Sequence, residues 1–156
     1  TMMTPNLVNG IFAFLHHLAA FAVAACLFYE FIAFDRHLTV PEARRIQTVD
    51  LIYGIAAGVV LVVGLLRVFF FAKGAGFYAI SPFFWVKMAA FVLVAILSIY
   101  PTIRYISWNK ALKQNQPPEI TEVEFSRIRW LLRLEMVGLV FILLAAPLMA
   151  RGVGLG

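Results

Sequence analysis

The sequence predicts an all-α fold, a bundle of four transmembrane helices with both termini on the outer side. Three observations predict it. Hydrophobic residues make up 63% of the 156 residues and charged residues only 13%, against about 45–50% and about 25% in a soluble domain. The apolar residues fall into four runs, each reaching the roughly 20 residues that a helix needs to cross the hydrocarbon core. Lys and Arg collect in alternate connectors, as the positive-inside rule requires of a multi-pass chain.

The spans, taken in order, cover residues 7–34, 49–71, 82–105 and 128–150. Together they read as one integral membrane domain, 1–156. The N-terminal "TMMTPNLVNG" has no basic n-region and no A-x-A-like site, so the first span reads as a retained helix and not a cleaved signal peptide. In the first connector, "DRHLTVPEARR", Thr39 precedes Pro41 and Glu42, which marks the start of a short helical lead into span two. The second connector, "AKGAGFYAISP", is Gly-rich, but no Lys-Ser or Lys-Thr pair follows the glycines, which excludes a phosphate-binding loop. The third, "WNKALKQNQPPEITEVEF", holds the Pro117-Pro118 break and Thr121-x-x-Glu124, a capping-box pattern leading into span four.

Orientation follows the basic residues. Arg36, Arg44 and Arg45 occupy the first connector. Arg104, Lys110, Lys113, Arg127, Arg129 and Arg133 fill or flank the third. The second holds only Lys73, and the N-terminal tail has none. The first and third connectors are therefore expected in the cytoplasm. Aromatic residues mark the two interfaces: Phe77, Tyr78, Phe83, Phe84 and Trp85 outside, and Tyr105, Trp108 and Trp130 inside. The net charge of +5 is accounted for by this topology, so no nucleic-acid partner is called for. A lone cysteine, Cys26, excludes an internal disulfide and any C-x-x-C site.

Ionisable side chains inside a span are costly and mark candidate sites. His16 and His17 lie on the outer half of span one. Adjacent helical residues diverge by ~100°, whereas Glu30, fourteen positions after His16, returns to within ~40° of its face. Two readings of the histidines stand: neutral residues hydrogen-bonded within the bundle, or ligands to a haem or metal. Arg67 and Lys87 approach the same outer leaflet, either snorkelling to headgroups or holding carboxylates such as haem propionates. Lys87, Val94, Ser98 and Tyr105 share one face of span three, which is expected to look inward. Asp50, Glu30 and Glu135 cluster toward the inner side near Arg104, Arg129 and Arg133 and are expected to form salt bridges that orient helices. A proton-conducting role for Glu30 or Glu135 is the alternative. Tyr53-Gly54-x-x-x-Gly58 is a close-packing motif, for the bundle or for a homodimer. Met2, Met3 and Met88 are soft groups of the kind that hold copper(I). His37 lies ~30 Å from His16 along a continuous helix, so the two cannot ligate one iron. A haem here would be five-coordinate, take Lys87 or Met88 as sixth ligand, or lie at a dimer interface.

The stretch from "DLIYGIAAGVV" to "IYPTIR", with "FLHHLAAF" and "PLMARGVG", resembles a bacterial family of four-span membrane proteins catalogued as domain of unknown function 2214. More distantly the chain is similar to the CopD-like group, the copper-resistance membrane proteins and the HemJ-type protoporphyrinogen oxidases. That similarity rests on His16, on Leu27-Phe28-Tyr29 and His37 beyond it, and on Trp85 and Lys87 opening span three; Glu30-Phe31 stands where the oxidases have Pro-Arg. It implies haem b, with His16 as ligand and Lys87 as a site residue; in the haem reading His17 supports or replaces His16, and Arg67 with Lys87 holds the carboxylates. The expected function is a haem-binding protein of the bacterial inner membrane that moves electrons, with a porphyrin- or quinone-like partner. A non-enzymatic accessory subunit of a larger membrane complex and copper handling at the outer face are the alternatives.

Overall fold

The computed structural model describes residues 4–67, 69 and 82–152, without the side chains of residues 149 and 150. Met2, Met3, the end of the second span and most of the "AKGAGFYAISP" connector, with Lys73, Phe77 and Tyr78, lie outside the described residues. Four long helices carry the fold: α1 (Pro5–Ala33), α2 (Val40–Leu66), α3 (Pro82–Ser107) and α5 (Glu122–Ala150); α4 (Asn109–Lys113) is a single extra turn. All four long helices are apolar and long enough to cross a membrane.

Each helix starts where its local chemistry dictates. Thr4 caps α1 through its hydroxyl, with Pro5 in the first turn, where a missing N–H costs nothing. Thr39 and Glu42 form a reciprocal capping box on α2. The predicted lead into span two is therefore the first two turns of α2 itself, which begins nine residues before the apolar run. Thr121 accepts the Glu124 N–H at 3.1 Å, but Glu124 turns its carboxylate to Arg104 instead of closing the box. Pro101 and Pro147 sit within α3 and α5, tolerated as prolines are in membrane helices.

The helices pack in the order α2, α1, α5, α3, and the contact between α2 and α3 that would close the ring is sparse. Fourteen residues separate His16 from Glu30 on α1, and fourteen separate Gly64 from Asp50 on α2; the antiparallel pairing sets His16 against Gly64 and Glu30 against Asp50. On the other pair, a Cβ added at Gly138 of α5 would lie 2.5 Å from Val94 Cγ2 of α3. Small residues let membrane helices approach this closely, where dispersion and not water exclusion drives association.

An aromatic clamp closes the connector end. Phe34 stacks on Trp108 and Phe125 at 6.4 and 5.5 Å between centroids, with Tyr105 5.0 Å from Trp108. Arginines staple the connectors by donating to main-chain carbonyls: Arg36 to Ile120, Arg44 to Leu112, and Arg129 to Phe31 and Phe34. The bonds to Phe31 and Phe34 satisfy carbonyls that the end of α1 leaves open.

Candidate functional site

Two polar layers interrupt the apolar interior. The deeper one holds three carboxyl groups. Glu30, Asp50 and Glu135 are 2%, 8% and 1% exposed. The expected salt bridges to them are not made. Arg104 pairs with Glu124 at 2.8 Å. Arg129 lies over the Phe31 ring and bonds carbonyls, and Arg133 lies over Trp130. Among the described residues no cation meets the three acids; the arginines find carbonyls, rings and an acid nearer the interface, where their charge stays partly hydrated.

The acids partner polar groups instead. Ser98 of α3 donates a short hydrogen bond to Glu135 Oε1 of α5, and Tyr53 of α2 donates to the same oxygen at 3.4 Å. The Tyr53 and Ser98 hydroxyls are themselves 2.9 Å apart, and Ser98 Oγ also lies 2.7 Å from the Val94 carbonyl. Ser98 has one proton for these contacts. With Glu135 ionised, Ser98 and Tyr53 both donate to it. With Glu135 protonated, the carboxyl donates to Ser98 and Ser98 turns its proton to Val94. The network thus has two proton arrangements on one set of heavy atoms. Glu30 of α1 and Asp50 of α2 sit side by side as a second unit. Glu30 Oε1, Glu135 Oε2 and the Tyr105 hydroxyl are buried with no protein partner.

The open seam between α2 and α3 reaches this layer. One part of it encloses about 310 Å³, with Tyr53, Gly54 and Ser98 in its walls. The next encloses about 460 Å³, lined among others by Gln47, Asp50, Gly54 and Tyr105. Gly54 and Thr102 border both, and each falls in the size range of small-molecule pockets. A Cβ at Gly54 or Gly58 meets nothing within 4 Å, so the glycine motif does not serve packing within this bundle; at Gly54 it keeps the seam open.

The second layer lies near the termini end. His16 packs beside Gly64, where an added Cβ would lie 3.1 Å from its Cε1, and His16 Nδ1 is buried without a partner. His17, exposed, bonds its own helix through the Ala13 carbonyl at 2.7 Å. The two rings stand edge to face at 6.0 Å. Lys87 and Met88 line a cavity with His16. Arg67 stands at the C-cap of α2, one turn beyond Gly64, which lines the same cavity. The structure therefore brings His16 and Lys87 to one cavity, with Arg67 one turn beyond its wall, and leaves His17 on the outer surface. Among the described residues no three His, Cys, Asp or Glu side chains converge as a metal cluster.

A family of predicted membrane proteins, domain of unknown function 2214, matches residues 8–154. The chain belongs to the DUF2214 family. No curated protein matches it, and no solved structure does. The match carries the family and the membrane character of the chain, but not the more distant CopD-like resemblance. For haem, the donor and the space at His16 disagree. The unpartnered imidazole nitrogen has the chemistry of an axial ligand. The cavity beside it encloses about 40 Å³, against roughly 300–1,000 Å³ for a ligand pocket, so a porphyrin does not fit among the described residues as packed. The carboxyl–hydroxyl layer of this DUF2214 protein escaped the reading of its sequence because Ser98 and Tyr53 are uncharged. Their one signal was that Ser98 shares a face with Lys87 and Tyr105.

Proposed function

We propose that the protein binds a lipophilic molecule bearing carbonyl or hydroxyl groups, of quinone-like kind, in the α2–α3 seam and supplies or takes up the protons that accompany reduction or oxidation of that molecule by a separate redox partner. The observation that carries this reading is the Glu135–Ser98–Tyr53 network: a buried acid that no cation meets among the described residues, bonded to two hydroxyls that border an open cavity. Chains of Asp, Glu and hydroxyl groups inside membranes are the usual form of a proton relay. The apolar walls suit a ring or prenyl chain. The hydroxyls suit its oxygen atoms. Glu30–Asp50, bordering the next part of the seam through Asp50, supplies a second proton-bearing unit toward the basic connectors, the side expected in the cytoplasm.

Quenching of tryptophan fluorescence by a short-chain quinone tests this reading in detergent-purified protein, since Trp108 packs against Tyr105, which lines the seam. Saturable quenching is expected, lost in Gly54→Leu, which fills the seam, and weakened in Glu135→Gln. Non-saturating quenching that is equal in wild type and Gly54→Leu overturns it.

The unpartnered Nδ1 of His16 supports a second reading, haem ligation, and the small enclosed volume opposes it. A Soret band abolished by His16→Ala decides for haem; a colourless protein expressed with haem supplied decides against.

A further inference from the structure

The acids of this chain are distributed along one half of its depth. All eight, at positions 30, 35, 42, 50, 119, 122, 124 and 135, lie at mid-membrane or toward the connector end. No Asp or Glu occurs in residues 1–29, 51–118 or 136–156. Two basic residues nevertheless converge at the opposite end. Lys87, in the second turn of α3, forms a wall of the His16 cavity. Arg67 stands at the C-cap of α2, one turn beyond Gly64, which lines that same cavity. The acid nearest to that end is Glu135. Its partner Ser98 lies eleven residues along α3 from Lys87, about 16 Å at the α-helical rise. No carboxylate side chain of the same chain is therefore placed to neutralise the pair. Like charges brought together at a membrane interface repel unless an anion bridges them.

We infer that Arg67 and Lys87 form an anion site in the outer part of the bundle, above His16, that takes a phosphate group. Guanidinium and ammonium are the two side chains suited to phosphate oxygens: one as a planar fork, the other as a point charge. The position near the end of α2 and the start of α3 sets the site toward the end of the bundle opposite the acids. The phosphate can come from an anionic lipid or from solution. The shared chemistry is the same, and the inference does not depend on the proton relay.

Native mass spectrometry of the full chain in detergent, with phosphatidylglycerol and phosphatidylcholine offered in equal amounts, tests it beside equilibrium dialysis against labelled inorganic phosphate. Each basic residue near a membrane surface contributes about fivefold to binding an anionic lipid, so Arg67→Gln with Lys87→Gln should weaken it roughly thirtyfold. Lys87→Arg, which keeps the charge, should retain binding. So should Glu135→Gln, which separates this site from the relay. Preferential retention of phosphatidylglycerol assigns the anion to a headgroup. Saturable phosphate binding without that preference assigns it to a soluble anion. Neither, or binding unchanged in the double variant, overturns the inference. Equal chromatographic elution of all variants excludes misfolding as the cause of a loss.

Discussion

Glu30 on α1 and Asp50 on α2 face one another in the buried interior, and no described cation meets either of them. Two ionised carboxylates so placed would repel strongly in a medium of low dielectric. A proton shared between them would convert that repulsion into a bond between helices. An infrared carbonyl band of a protonated carboxyl group is therefore expected at neutral pH, and Asp50→Asn should remove or shift it. A spectrum unchanged by both Asp50→Asn and Glu30→Gln would show that the pair holds no proton.

Substitution at these two positions should separate hydrogen bonding from charge. Glu30→Gln keeps a donor and an acceptor for Asp50 and should change stability little. Glu30→Leu leaves Asp50 buried without that partner and should cost about 1–3 kcal/mol. Unfolding in detergent titrations of SDS measures both. Equal stability of the two variants would mean that the contact contributes nothing.

The glycines divide into two classes with opposite expectations. Gly138→Val should destabilise, because even a Cβ there would lie 2.5 Å from Val94 Cγ2; overpacking of this kind costs about 1–3 kcal/mol. Gly58→Ala should be neutral or stabilising, since nothing lies within 4 Å of the added carbon and glycine in a helix interior costs about 0.5–1 kcal/mol relative to alanine. The same SDS titration ranks them, and a Gly58→Ala variant weaker than Gly138→Val would contradict the packing described.

Much of the fold was legible because hydrophobic length is a one-dimensional property. A run of some twenty apolar residues is a span whatever its neighbours are. The polar beginnings of α2 and α5 lie outside the apolar runs but were legible in their capping residues, Thr39 with Glu42 and Thr121. The site was legible as a set of depths but not as a set of partners. His16 and Glu30 share a face by phase alone. That Glu30 meets Asp50, and that Arg129 turns to the Phe31 carbonyl, depends on which helices adjoin. The α2–α3 seam was not legible, since it arises from a contact that is sparse. The glycine motif drew attention to its wall for a different reason, close packing.

Orientation in the membrane rests on the basic connectors, and labelling tests it directly. With Cys26 replaced by serine, a cysteine at Lys113 should react with a membrane-impermeant maleimide only after the cytoplasmic face is opened, and a cysteine at Thr4 should react in intact cells. Lys113 ends α4 and is exposed, as is Thr4 at the cap of α1. The reverse pattern would place the relay's Glu30–Asp50 unit toward the outside and the Arg67–Lys87 pair toward the cytoplasm, and so reverse the direction from which protons and phosphate reach the bundle.

The contact between His16 and Gly64 sets the last expectation. Gly64 provides the room in which the His16 ring lies, with 3.1 Å between Cε1 and the position of an added Cβ. Alanine there requires the ring to yield by a few tenths of an ångström, and the adjoining cavity of about 40 Å³ lets it do so. Gly64→Ala should therefore fold with near-native stability. Gly64→Ile adds a branched side chain with restricted rotamers and should force the imidazole from its place, at an overpacking cost of about 1–3 kcal/mol. The double variant Gly64→Ile with His16→Ala should recover much of that loss, because the space freed by the ring, with the adjoining cavity, offsets most of the volume added. Additive losses in the double variant would show that the isoleucine strains something other than His16. A recovery would establish this pair as the packing contact that positions the imidazole beside Lys87 and Met88.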